Sequence, residues 1–267
     1  MSARTLVAVV SYSRRVTFHD AGAITRACNA QVRDHIAPAW GWRPVPVSFF
    51  GAPSMVPAGA WTIAILDDPD QANALGYHAD GPDGRPYGRV FTSPTLDAGG
   101  SVMRGPDSVS CTLSHEVAEV LGDPEVNRWA QGPDGQLWAL ELADQVEGDV
   151  YDVPVVGTGP VAVSNFLTPA GFDAHPPVGA RFDYLGRLGA PFTMTAGGYA
   201  IVMRGGRATQ VFASAEAEAR FAARRVAKAH PAARTARRGV FAAPHVDGGD
   251  VPPTAPTGGA RRKGSRS

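Results

Sequence analysis

The feature that most constrains this chain is a polar trio set inside an apolar helical repeat. Val109, Leu113, Val117, Val120 and Leu121 recur at helical spacing. Asp107 or Ser108 is available as the cap, and Gly122 with Asp123-Pro124 forms the stop. Into that helix the sequence places His115, Glu116 and Glu119, in the pattern H-E-x-x-E. Residues four apart share a helical face, so an imidazole nitrogen of His115 and a carboxylate oxygen of Glu119 can grip one Zn²⁺ at about 2.0–2.2 Å. Glu116 sits beside that face. The plain alternative is a helix whose carboxylates are solvated, because glutamate suits any wet helical face.

One imidazole and one carboxylate do not complete a zinc site. At least one more protein ligand is needed, with a position left open for water. Residues 140–149 set Glu141, Asp144, Glu147 and Asp149 among apolar neighbours. Asp144 is the first choice of third ligand and Glu141 the second. Taken alone, the segment reads as a solvated acidic turn or an oxygen-rich calcium-type cluster. Taken with His115 and Glu119, it is a source of ligands. Cys111 shares the His115 face, but an inert buried thiol is expected there rather than a thiolate ligand. With Cys28 it is one of only two cysteines, so there is no disulfide framework.

Three blocks carry a resemblance: S-H-E-V-A-E-V-L-G-D-P at 114–124, E-L-A-D at 141–144 and V-S-N-F-L-T-P at 163–169. Together they resemble a group of bacterial and phage proteins of zincin type, which show S-H-E-hydrophobic-x-E…D-P and a later acidic E-x-x-D. A similar S-H-E-L-x-E-x-x-T-D-P block occurs in Exordium-like proteins. By pattern the match spans residues 60–200. The resemblance implies a zincin-like α+β fold, with Zn²⁺ as cofactor and His115, Glu119 and Asp144 as its ligands. It implies Glu116 as general base and hydrolysis of a peptide bond in a peptide or protein substrate. The chain departs from H-E-x-x-H peptidases at Glu119, and no third histidine follows in the H-x-x-G-x-x-H manner. The extra carboxylate charge lowers the Lewis acidity of a bound metal. That sustains an alternative, a non-catalytic zincin-like fold with a structural metal, acting as a binding or phage/virion accessory module.

Along the chain, residues 6–12 form a continuous apolar run suited to a strand buried on both faces. Residues 20–36 read as an amphipathic helix ended by Pro38, and 44–50 and 61–66 as strands. Residues 74–78 and 87–92 flank a turn-rich loop. The second piece is expected to be the edge strand beside the cleft, where zincins pair with extended substrate. His78, in the first piece, is expected to be solvated, with contact to the cleft as the alternative. Strands at 161–166, 182–188, 192–194 and 199–203 are expected to make the carboxy-terminal portion β-rich, and 214–229 reads as a helix. The whole is one mixed-sheet α+β domain over 1–229 with its active-site helix at 109–121.

Charge is unevenly placed. Residues 219–267 hold 11 Lys/Arg against 2 acids, whereas residues 1–218 hold 14 against 23. Residues 230–267 have too little apolar material to fold, so a disordered basic tail is expected. It lacks interleaved aromatics, which limits it to weak, non-specific nucleic-acid retention. The apolar run after Met1 is too short for a signal-peptide core or a membrane span, so no membrane association and a cytoplasmic location are expected. One tightly held Zn²⁺ per chain is the central expectation.

Overall fold

The computed structural model describes residues 5–70, 75–224 and 240–241. It is mixed α+β. Strand β1 (Val7–Ser11), helix α1 (Phe18–Gln31), a π turn (Val32–Ile36) and helix α2 (Ala37–Trp40) open the chain. Strands β2 (Val47–Phe50), β3 (Trp61–Leu66), β4 (Gly76–Asp80) and β5 (Pro86–Phe91) follow. They form a five-stranded sheet in the order β2-β1-β3-β5-β4. All neighbours are parallel except β4, which runs antiparallel to β5. The apolar run of β1 lies mid-sheet with all five residues buried, as a strand covered on both faces requires.

Two expectations are corrected here. Residues 87–92 are not the edge: β5 is flanked on both sides, and β4 is the edge strand. Val90 and Phe91 are wholly buried, which suits the inner position, while β4 runs out to exposed Asp80. Pro38 does not end the first helix. The backbone widens into the π turn just before it, so the missing proline N–H breaks no regular ladder. The run stops instead at Gly41, whose φ of 66° is left-handed.

After a short helix α3 (Thr92–Asp97), helix α4 (Val109–Gly122) carries the H-E-x-x-E pattern. The Ser108 side chain accepts the Cys111 N–H, capping it as expected. Every residue of α4 is buried except Thr112. It runs between the first sheet, α1 and strand β9 (Gly159–Ser164), so its polar side chains must find partners inside the protein. Ser110 Oγ donates to the Ala162 carbonyl at 2.7 Å, and Ser114 Oγ accepts the Ser164 N–H at 2.8 Å. These two serines, one turn apart, lash the helix to β9. At the other end the Asp123 carboxylate accepts the backbone N–H groups of Asn127 and Arg128 at 2.9 and 3.1 Å. That turn sends the chain into a second sheet.

The second sheet has the order β11-β10-β7-β6-β12. Its strands are β6 (Trp129–Gln131), β7 (Leu137–Ala139), β10 (Tyr199–Arg204), β11 (Arg207–Phe212) and β12 (Val240–Phe241). Strand β8 (Val150–Val155) and β9 form a separate antiparallel ribbon. The strands expected at 182–188 and 192–194 do not form; those residues are turns and coil apart from one isolated antiparallel bridge between Asp183 and Leu167. Side chains add to the backbone bonds there. Asn165 Nδ2 donates to buried Asp183 at 2.8 Å, and the Asp183 carboxylate accepts the Leu188 N–H at 2.8 Å. Helix α5 spans Ala215–Arg224. The expected helix beyond that point and the expected tail lie outside the described residues, apart from β12, which pairs parallel with β6. No described helix is long and apolar enough to cross a membrane.

The C-terminus of α4 is seated without clearance. A Cβ on Gly122 would overlap the Leu142 side chain. Gly122→Ala is therefore expected to cost about 1–3 kcal/mol through overpacking. In a chain of this size that lowers Tm by roughly 2–4 °C per kcal/mol. A thermal melt indistinguishable from wild type would show that the helix end is not packed this way.

Candidate metal centre

Three separate stretches meet at one buried cluster. The helix presents His115, Glu116 and Glu119. Strand β4 alternates its side chains, so Gly76 and His78 face α4 while Tyr77 packs the other way, against Phe91 and Tyr87. The strand lies close on the helix: a Cβ on Gly76 would fall 2.8 Å from Glu116 Oε1 and 2.9 Å from the Thr112 methyl. The third stretch, residues 139–146, is buried throughout. The acidic segment is thus no solvated turn. Asp144 opens a short 3-10 turn, Asp144–Val146, with its carboxylate inward.

His115, Glu116, Glu119, Asp144, Glu141 and His78 are each at most 7% exposed. His115 Nε2 lies 2.7 Å from Glu119 Oε1 and 3.1 Å from Asp144 Oδ1, between two carboxylates. His78 Nδ1 lies 3.3 Å from Glu119 Oε2 and 3.7 Å from Glu116 Oε2, and its Nε2 lies 3.7 Å from Glu141 Oε2. Two groups have ligand atoms all within 4.8 Å of one another: His115–Glu116–Glu119 and His78–Glu119–Glu141. These buried groups can hold a metal ion. Asp144 belongs to neither and flanks His115 from its other side.

His78 is the correction of most consequence. It is not a solvated loop residue but an edge-strand side chain sunk among three glutamates. Burial by itself would lower its pKa; the neighbouring carboxylates of Glu116 and Glu119 outweigh this and raise it to about 9. A proton on the ring then plays the part of a cation among the acids. Gly88 lies directly across from it on β5, where a Cβ would fall 3.2 Å from Ile63 Cγ1.

Tyr199 was also missed. Gly197 and Gly198 let the start of β10 press on the 3-10 turn, since a Cβ at Gly197 would sit 2.5 Å from the Glu147 carbonyl and one at Gly198 would overlap the Gln145 carbonyl. Tyr199 is thereby brought within electrostatic reach of Asp144. Burial first, and then the charges of Asp144, Glu147 and Glu119, raise its pKa well above the usual phenol value. The Gly-Gly-Tyr sequence was the available signal. Cys111 is a structural thiol: it donates to the Gly105 carbonyl at 3.2 Å, and burial raises its pKa to about 11.

The centre opens on a cavity of about 350 Å³ lined by Gly76, Thr112, His115, Glu116, Tyr199 and Arg220 among others. That is the lower end of the volume range for small-molecule sites. No protein-family model, curated protein or solved structure matches this chain.

Proposed function

We propose that this chain is a zinc-dependent hydrolase of zincin type, most simply one that cleaves a peptide bond. The observation that carries this is the charge of the buried cluster. Four carboxylates meet two imidazoles at 7% exposure or less, so the buried cluster holds more acidic groups than basic partners for them. A divalent cation answers that imbalance, and mixed imidazole and carboxylate donors suit Zn²⁺. His115 and Glu119 would hold it from one helical face. Asp144 would be the third ligand, because its Oδ1 and Glu119 Oε1 both approach His115 Nε2.

Bound there, Zn²⁺ supplies Lewis acidity toward a carbonyl and makes water easier to deprotonate. The remaining work belongs to the protein. Glu116 lines the cavity, and its buried Oε2 has no hydrogen-bond partner among the described residues. It is placed to take a proton from water and pass it to the leaving amine. Strand β4 pairs only with β5 among the described residues, so its outer edge offers backbone groups to an extended peptide. The strand–helix–strand–strand order ahead of the metal-bearing helix further supports the zincin likeness. The carboxylate-rich donor set favours the second reading, a structural metal in a non-catalytic relative, because added negative charge weakens the metal as a Lewis acid.

Elemental analysis of purified protein tests the foundation of both. Wild type is expected to retain Zn²⁺, and His115→Ala to hold one ion fewer per chain. Wild-type protein free of metal after exposure to Zn²⁺ would overturn the proposal.

A further inference from the structure

We propose that the centre takes two divalent transition-metal ions bridged by Glu119, with the second ion held by His78 and Glu141. The inference rests on the first site above and extends it. Glu119 presents Oε1 to His115 at 2.7 Å and Oε2 to His78 at 3.3 Å. A carboxylate with one oxygen turned to each of two imidazoles is arranged to bridge two ions rather than chelate one. The two groups of potential ligands share Glu119, and each contains only one of the two histidines. A single ion therefore does not gather both sets.

The second position has its own built features. His78 is 5% exposed, and its Nε2 has no hydrogen-bond partner among the described residues. That nitrogen lies 3.7 Å from Glu141 Oε2. The gap is too long for a hydrogen bond. One ligand atom from each of His78, Glu119 and Glu141 lies within 4.8 Å of the others, a spacing that one ion with bonds of about 2.0–2.2 Å can draw together. Glu116 Oε2, 3.7 Å from His78 Nδ1, is in the same condition. Strand β4 cannot swing away cheaply, because it is hydrogen-bonded along its length to β5 and packs on α4 through Gly76. An imidazole with two carboxylates selects Zn²⁺ or Mn²⁺ over the all-oxygen preferences of Mg²⁺ and Ca²⁺. Paired ions at about 3.5–4 Å act as a clamp on the oxygens of a displacement reaction. A second positive charge would also restore the Lewis acidity that a carboxylate ligand takes from a lone ion.

The test is metal stoichiometry on the full-length protein. Metal-free protein is equilibrated with Zn²⁺, freed of excess and analysed for bound metal beside His78→Ala, Glu141→Gln and His115→Ala. Two ions per chain are expected in wild type and one in each of His78→Ala and Glu141→Gln. Loaded with Mn²⁺, wild type is expected to give a spin-coupled paramagnetic resonance spectrum, and both of those variants a single-ion spectrum. Glu141→Gln keeps the side-chain shape, so the comparison survives if His78→Ala fails to fold. One ion in wild type, unchanged in both variants, overturns the second site and leaves the first. One ion in wild type and none in either His78→Ala or His115→Ala means a single ion between the histidines, and also overturns it. No ion in wild type overturns both sites together.

Discussion

Glu116→Gln is expected to keep the metal and lose turnover by about 10²-fold or more, the range that a positioned general base contributes. The substitution preserves shape and removes only the ability to take a proton. Glu116 is 1% exposed and packed under Gly76, so the amide occupies the same place without room to swing aside. The measurement compares wild type and variant on a peptide library, with bound metal determined on the same samples. Equal turnover with equal metal would remove Glu116 from the chemistry. No turnover by wild type on any library member would shift the assignment to the non-catalytic reading, with the metal centre intact.

The second large effect is on stability. A ligand that binds only the native state stabilises it by about 2.7 kcal/mol at a hundred times its Kd. In a domain of this size that raises Tm by roughly 5–10 °C. The physical source is the relief of repulsion among Glu116, Glu119, Glu141 and Asp144, which sit within one buried cluster. Metal-free protein is therefore expected to melt lower and to recover on adding Zn²⁺, and His115→Ala to recover less. A metal-free protein whose melt does not move with Zn²⁺ would refute native-state binding. Removal of the ion is also expected to matter more than Gly122→Ala, because it uncovers several charges rather than straining one methyl.

Much of this centre could be read from the residues because its helix announces itself. The cap at Ser108, the stop at Gly122 and the four-residue spacing of His115 and Glu119 are local properties, and local periodicity carries them. The first three strands were legible for the same reason. What stayed hidden depends on which elements become neighbours. The hairpin of β4 and β5 looks alike from either side; only its docking against β3 makes β5 internal and β4 the edge. His78 inherits its burial from that choice, so its role could not be seen in its own surroundings. At residues 183–188 backbone pairing stops at one bridge to Leu167, and the side chains of Asn165 and Asp183 take the N–H groups of Leu185 and Leu188, so the apolar stretch there produced no strand. Tyr199 reaches Asp144 across more than fifty residues through a contact that two glycines permit but do not specify.

The shared placement of donors also has a consequence in time. Chain synthesis delivers the first sheet and α4 well before Glu141 and Asp144 exist, and Tyr199 later still. A nascent chain at that stage carries His78, His115, Glu116 and Glu119 with one wall of their enclosure missing. The acids stay hydrated until residues 139–146 swing beneath the helix and Leu142 lodges against Gly122. On the proposed metal site, burial of the carboxylates and capture of a cation would then fall together as one late event, with the ion as the latch.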